Sequence, residues 1–248
     1  MGHKENKMDL TILLPTKDEG DNITQVIEQV REVCDKLDTE YEILVMDAGS
    51  KDDTQALAAK SGARVATQKR PAYGGAILDG FDEAKGDFVL TLDADLSHPP
   101  ALIKELWAVK DHADLAIGSR FVPGGKSDMS TSRYVLSRIL NKTFGIALWV
   151  PIKDMSSGYR LYRKSVVRRF DFSGGNLSIL QEMAIKFYLS GFRIVEKPLH
   201  YMPRKGGVSK SSAVKFGKSY LQTLFRLMYY RFFLPKPTVA DADSHKKQ

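Results

Sequence analysis

The chain has 248 residues, 43% of them hydrophobic, which suits one large α/β domain with a substantial core better than two small ones. A single cysteine rules out an internal disulfide framework, and the polar stretch Met1 to Asp9 lacks the apolar run of a signal peptide, so the expected location is the cytoplasm. The net charge of +7 is unevenly shared: residues 1–119 carry 13 Lys and Arg against 23 Asp and Glu, a formal −10, whereas residues 120–248 carry 24 against 7, a formal +17. Such a split directs the second half at something anionic: nucleic acid, an anionic membrane surface or a phosphorylated lipid.

Apolar runs rich in β-branched residues alternate with helix-period segments, the pattern of parallel strands joined by crossover helices. The first strand is predicted at Leu10–Leu14. It leads into Pro15-Thr16-Lys17-Asp18-Glu19-Gly20-Asp21-Asn22, which holds no Gly-x-Gly-x-x-Gly and so argues against a dinucleotide cofactor. A helix from near Asp21 to Leu37 puts Ile23, Val26, Ile27, Val30, Cys34 and Leu37 on one apolar face, where Cys34 reads as packing rather than as a nucleophile. The strand Glu42–Met46 delivers Asp47 to the turn Asp47-Ala48-Gly49-Ser50, and the next helix starts at the Asp52/Asp53 cap. A strand at Ala63–Thr67 and a helix at Gly75–Lys85 follow.

The strand Phe88–Leu92 ends in Asp93-Ala94-Asp95, directly before the turn signal Ser97-His98-Pro99-Pro100. Two hard oxygen ligands one residue apart suit Mg²⁺ or Mn²⁺ shared with a diphosphate, because such ions keep positions for water and phosphate oxygens. Asp-x-Asp also arises as turn and N-cap chemistry, and the pair alone leaves both readings open. For His98, a capping or solvated role is expected. A helix beginning at Pro99-Pro100 and a strand at Leu115–Gly118 complete a Rossmann-like sheet, with its site at the carboxyl ends of the strands.

After Arg120 the alternation breaks down. Pro123-Gly124-Gly125 opens a polar loop expected to be mobile; Val135–Val150 reads as a helix, Tyr159–Tyr162 as a strand, Leu177–Ser190 as a helix and Arg193–Tyr201 as a strand. Tyr220–Leu234 is aromatic and apolar, punctuated by Arg226 and Arg231. As a helix it would be about 22 Å long at ~1.5 Å per residue, short of the ~30 Å hydrocarbon core. Its composition fits a helix lying in the membrane interface and equally a helix docked on the domain.

Pro15-Thr16-Lys17-Asp18-Glu19, Asp47-Ala48-Gly49-Ser50, Tyr73-Gly74-Gly75-Ala76, Asp93-Ala94-Asp95-Leu96-Ser97-His98-Pro99 and Gly118-Ser119-Arg120 resemble, in order and spacing, the family 2 glycosyltransferases of GT-A fold. Arg133 to Asn141, Asp154-Met155-Ser156-Ser157-Gly158-Tyr159-Arg160, Gln181-Glu182-Met183 and Arg204 to Lys210 resemble its dolichol-phosphate mannose synthase branch, which transfers a sugar from a nucleotide donor to a polyprenyl phosphate. The resemblance covers roughly Leu10 to Lys210. It implies an α/β GT-A fold, a Rossmann-like mixed sheet flanked by helices. The expected division is a catalytic domain at 1–211, an amphipathic helix at 212–234 and a disordered tail at 235–248.

Carried over residue by residue, the resemblance implies that Pro15, Thr16, Glu19 and Asp47, with Gly74, Ala94 and the two acids, bind the nucleotide sugar. Asp93 and Asp95 would hold Mg²⁺ or Mn²⁺ and the donor diphosphate, with Arg120 as a third catalytic residue. Arg120, Arg133, Ser137, Arg138, Arg204 and Lys210 would surround the acceptor phosphate, for which guanidinium forks are apt. Three departures stand out: Ala48 replaces a second acid, Lys17-Asp18 replaces Tyr-Asn, and Ser97 replaces a Gln that helps ligate the metal.

The expected reaction is an inverting, metal-dependent transfer of a hexose from GDP-mannose or a UDP-sugar to a polyprenyl phosphate, at the cytoplasmic face of a membrane. A phosphate monoester, with a second pKa of ~6, is already an anionic nucleophile and needs no general base. A hydroxyl acceptor would need one, from Glu182 or Asp154. A noncatalytic nucleotide-sugar or anionic-lipid binding module is the alternative from another class. Nucleic acid is the least favoured partner, since the basic residues cluster around phosphate-site motifs.

Overall fold

The computed structural model describes residues 8–203 and 213–237. In chain order the elements are β1 (Leu10–Thr16), α1 (Ile23–Cys34), β2 (Tyr41–Asp47), α2 (Thr54–Lys60), β3 (Arg64–Thr67), α3 (Ala72–Glu83), β4 (Phe88–Thr91), α4 (Leu102–Trp107) and β5 (Leu115–Ser119). They continue as β6 (Lys126–Ser127), α5 (Thr131–Leu148), β7 (Arg160–Arg163), α6 (Lys164–Val167), α7 (Ser178–Leu189), β8 (Ile194–Pro198), β9 (His200–Tyr201) and α8 (Ala213–Phe233).

Seven strands form one sheet in the order β3-β2-β1-β4-β7-β5-β8. All neighbouring pairs are parallel except those of β7, which runs antiparallel to both β4 and β5. The sheet is therefore mixed, as the resemblance implied, and helices cover both faces. Alternation along β1 sends Leu10, Ile12 and Leu14 into one core with Val26, Ile27 and Val30 of α1, and Leu13 into the other with Ile77 and Phe81 of α3. Strands buried on both sides explain the near-continuous apolar runs, and each such side chain contributes about 1.5–3 kcal/mol relative to exposure. Cys34 packs in the first core, where burial and then the neighbouring Asp35 push its thiol up to about 12.

Several boundaries shift for identifiable reasons. The segment after α1 tightens, Lys36 N–H donating to Val33 C=O and Leu37 N–H to Cys34 C=O, so i→i+3 turns replace the expected last helical turn. The same bonding from Leu102 to Pro99 and Ile103 to Pro100 delays α4. Arg193–Tyr201 divides into β8 on the main sheet and β9, which pairs in parallel with β6. That pairing ties down the loop expected to be mobile: Gly125 N–H donates to Val122 C=O, and Lys126 N–H to Leu199 C=O.

The largest difference is α8. It has 21 residues, about 32 Å at ~1.5 Å per residue, so the length argument against a membrane span does not hold. Composition decides instead: among the described residues no helix is long and apolar enough to cross a membrane. One face of α8 buries Tyr220, Thr223, Leu227 and Tyr230 on the domain, while Leu221, Phe225, Tyr229, Phe232 and Phe233 stay exposed on the other. The tail expected from residue 235 lies outside the described residues beyond 237.

Candidate active site

Three groups of side chains meet at the carboxyl ends of the strands. In the first, register places Thr16 of β1 beside Asp47 of β2. Asp47 is fully buried. Its Oδ2 accepts from the N–H groups of Gly49 and Ser50 at 2.9 Å and from Gln55 Nε2 at 2.7 Å, and its Oδ1 from the hydroxyls of Ser50 and Thr16. Burial opposes ionisation, but these donors outweigh it and hold the carboxyl below the ordinary range. Asp47 thus locks the floor between β1 and β2, with its lone pairs engaged inside the protein. Above it, Asp18 N–H donates to Ser50 Oγ and Glu19 N–H to Thr54 Oγ1, both at 2.8 Å, stitching together the loops after β1 and β2. Asp18 has φ 56°, a left-handed conformation that Asp and Asn tolerate. The departure from the family's Asn at that position therefore preserves the backbone. Pro15 and Glu19 sit half-buried on the same rim, Glu19 accepting from Asn22 Nδ2 at 3.2 Å.

The second group follows β4. Asp95 is buried and its Oδ1 accepts from Ser97 N–H at 3.0 Å and from the Ser97 hydroxyl. Ser97, in place of a metal-ligating Gln, therefore orients the second acid. Ala94 between the acids is buried. Asp93 N–H donates to His98 Nδ1 at 3.0 Å, which assigns the ring proton to Nε2, 3.9 Å from Asp93 Oδ2. His98 is buried against Tyr159 and Tyr201, with ring centroids 5.0 and 5.6 Å away. Burial lowers its pKa, so the ring is neutral and holds the backbone of Asp93; it is not solvated. Gly158 backs this site: a Cβ there would lie 2.9 Å from the Tyr73 hydroxyl and 3.5 Å from Asp93 Oδ1. The Tyr73 phenol stays protonated, its pKa raised by burial and then by Asp93. Gly74 is buried, and its N–H donates to Gly175 C=O at 3.0 Å.

Among the described residues no group of three or more His, Cys, Asp or Glu forms a ready-made metal cage. The donor set fits a hard cation held by one or two carboxylates and completed by diphosphate oxygens and water, the usual manner of Mg²⁺.

The third group is built on Arg120, which leaves the end of β5. Its Nε and Nη2 grip the two oxygens of Asp154 at 2.7 Å each, and its N–H adds a bond of 3.0 Å. Nη2 also donates to Ser156 Oγ at 2.7 Å and reaches Ser137 Oγ of α5 at 3.5 Å. Burial would raise the pKa of Asp154, but the Arg120 fork holds it low. Arg120 Cζ lies 5.8 Å from the ring of Tyr201, the ring that also contacts His98, so this group and the Asp93 group share a wall. Arg133 and Arg138 are exposed on α5 and make no hydrogen bond or ion pair with a described residue. Arg204 and Lys210 lie outside the described residues.

Sequence reasoning did not anticipate Arg160, which is fully buried and donates to the carbonyls of Met155, Ser157 and Leu180 at 2.7 Å each. It fixes the loop that carries Asp154 and Ser156. Both candidate general bases are held in ion pairs. Asp154 is gripped by Arg120, and Glu182 is buried between Lys186 at 2.8 Å and Arg226 at 2.9 Å.

Residues 11–170 match the family described as Glycosyl transferase family 2. The chain belongs to this family. It is 34% identical over 230 residues to the dolichol-phosphate mannosyltransferase of Pyrococcus furiosus, covering 89% of this chain and 64% of that protein. It is 35% identical over 231 residues to the polyprenol monophosphomannose synthase of Mycolicibacterium smegmatis, covering 87% of this chain and 84% of that one. The chain thus spans less than two thirds of the length of the Pyrococcus relative. Its fold is shared with glucosyl-3-phosphoglycerate synthase from Mycobacterium tuberculosis. The crystal structure of that enzyme with Mg²⁺ and UDP superposes at TM-score 0.69 and 19% identity, over 92% of this chain and 81% of that one. Its complex with Mn²⁺, UDP-glucose and phosphoglyceric acid superposes at 0.70 and 18%, with the same coverage. The GT-A arrangement expected from the motifs is the one observed.

Proposed function

We propose that this family 2 glycosyltransferase transfers a hexose from a nucleotide sugar to a polyprenyl phosphate, inverting the anomeric carbon. The observation that carries the reading is the state of Asp154 and Glu182, both tied up in ion pairs. A hydroxyl acceptor would need one of them as a base, whereas a phosphate acceptor arrives ionised. The named relatives agree with this chemistry.

In the proposed step a phosphate oxygen of the acceptor forms the new bond to the anomeric carbon. The bond to the donor's β-phosphate oxygen breaks, and the nucleoside diphosphate leaves with the electron pair. Pro15, Thr16 and Glu19 border the nucleoside, with Asp47 shaping its floor. Asp93 and Asp95 hold a divalent cation, which supplies charge neutralisation to the departing diphosphate. Arg120 already has Asp154 as counter-charge, so its part is to fix the shape of the acceptor pocket. The net positive charge facing the acceptor comes from Arg133 and Arg138 beside Ser137. In-line positioning of this kind can lower the barrier by about 7–11 kcal/mol.

The acceptor's lipid tail fits a protein that lies on a membrane surface. Val135, Leu136, Ile139 and Trp149 are exposed on and after α5, as are Leu221, Phe225, Tyr229, Phe232 and Phe233 on α8. Arg231 of α8 stands 5.5 Å over the Trp149 ring, linking the two patches. Tyr, Trp and Phe beside Arg suit an anionic interface, and the peripheral location at a cytoplasmic face is part of the same proposal.

Asp95→Ala and Arg133→Ala separate the roles. Asp95→Ala is expected to abolish turnover, while Arg133→Ala raises KM for the lipid phosphate and leaves donor KM near wild type. Wild-type kinetics in both variants would overturn the assignment.

A further inference from the structure

We propose that Glu182 is a positioning residue that ties the seating of α8 to the donor-side turn at Gly74. The inference rests on the proposed function and on the nucleotide-sugar role that the family resemblance implies for Gly74. Glu182 sits in α7 with its carboxylate almost wholly shielded from solvent, and its two oxygens divide their partners. Oε2 is shared by Arg226 of α8 at 2.9 Å and by Gly174 N–H at 2.8 Å. Oε1 is shared by Lys186 at 2.8 Å and by the Ser173 hydroxyl at 3.4 Å, and Ser173 N–H reaches both oxygens. A carboxylate held by cations on two helices thus presents fixed acceptors to two successive backbone amides of the loop before α7.

That loop abuts the donor side. Gly175 C=O accepts from Gly74 N–H at 3.0 Å, and a Cβ on Gly74 would lie 2.1 Å from Gly174 O. The loop has little room to adjust, because a Cβ on Gly174 would meet Ile179 N at 2.7 Å. Gly74 adjoins Tyr73, whose hydroxyl faces Gly158 beside Asp93. A continuous set of polar contacts therefore runs from Arg226 through Glu182 and the loop to Gly74. Removing Arg226 leaves Oε2 free to turn toward Lys186, away from Gly174, and the loop loses its shortest anchor. A device of this kind makes the donor turn well formed only while α8 is docked.

The test is hydrogen–deuterium exchange on the full chain and its Arg226→Ala and Arg226→Lys variants, with donor KM measured alongside. Arg226 is partly exposed, so its truncation should leave the domain folded. In Arg226→Ala, exchange over residues 72–75 and 173–176 is expected to accelerate at least about fivefold, with Leu10–Thr16 and Tyr41–Asp47 unchanged. Donor KM should rise more than kcat falls, and Arg226→Lys should restore most of both. Acceleration confined to α8 would reduce Glu182 to a staple between two helices and overturn the proposal. Equal acceleration over the central strands would also overturn it, as general loosening. Should exchange behave as expected while the wild-type protein consumes no nucleotide sugar, the relay stands and the functional reading fails.

Discussion

Replacing Asp154 by Asn keeps the shape of the buried partner of Arg120 and removes its charge. An uncompensated guanidinium is then left among Ser137, Ser156 and Tyr201. Breaking a buried pair this way costs about 3–5 kcal/mol, so the urea midpoint of Asp154→Asn should fall accordingly at pH 7. The sign of the pH dependence follows from the lowered native pKa of Asp154. Its contribution is present in full above the unfolded value of ~3.9 and is lost as pH falls through the lower native value. Wild type should therefore lose stability in acid faster than Asp154→Asn, and parallel acid limbs would contradict the pairing. Asp93 and Asp95 were legible in the sequence because a buried strand stops where they begin. The pairing of Arg120 with Asp154 was not, because it joins residues 34 positions apart across two sheet connections. The buried role of His98 was hidden for the same reason: Tyr159 and Tyr201, which enclose it, come from the region after Arg120.

At the scale of elements, the strands and helices up to Arg120 could be read from hydrophobic period alone. Strands β1, β4 and β5 are buried on both faces and α1 shows one apolar stripe, so local pattern and tertiary role coincide there. Beyond Arg120 the reading blurs, since β7 enters the sheet against the direction of its neighbours and α5 and α8 bury narrow faces. Helix α3 provides a sharp test of how the donor turn is packed. Gly74→Ala forces a methyl group to within 2.1 Å of Gly174 O, whereas a Cβ at Gly175 meets nothing within 4 Å. Gly74→Ala should reduce donor kcat/KM at least about tenfold, a loss of ~1.4 kcal/mol in transition-state binding. Gly175→Ala should stay within about 0.5 kcal/mol of wild type in stability. Equal kinetics in the two variants would show that the close approach of the two loops is unimportant.

For the molecule as a whole, the formal −10 of residues 1–119 and +17 of residues 120–248 follow the division of roles proposed above. The acid-rich half supplies the donor-side strands, and the basic half supplies α5, α8 and the residues proposed for the acceptor. Exchanging Phe225 and Phe233, both exposed on α8, for Ser should weaken cosedimentation with anionic vesicles without lowering the thermal midpoint. Higher salt should weaken the wild-type interaction further. Unchanged vesicle binding would remove α8 from the proposed membrane surface. Sugar transfer to a lipid phosphate is tested by incubating the full chain with Mg²⁺ or Mn²⁺, a short polyprenyl phosphate and a panel of nucleotide sugars, with lipid product and nucleoside diphosphate followed by mass spectrometry. Lipid-dependent consumption of one donor is expected, with one hexosyl phosphodiester formed per nucleoside diphosphate released. Donor binding with no lipid-linked product under either metal, or transfer to a hydroxyl acceptor instead, would contradict it.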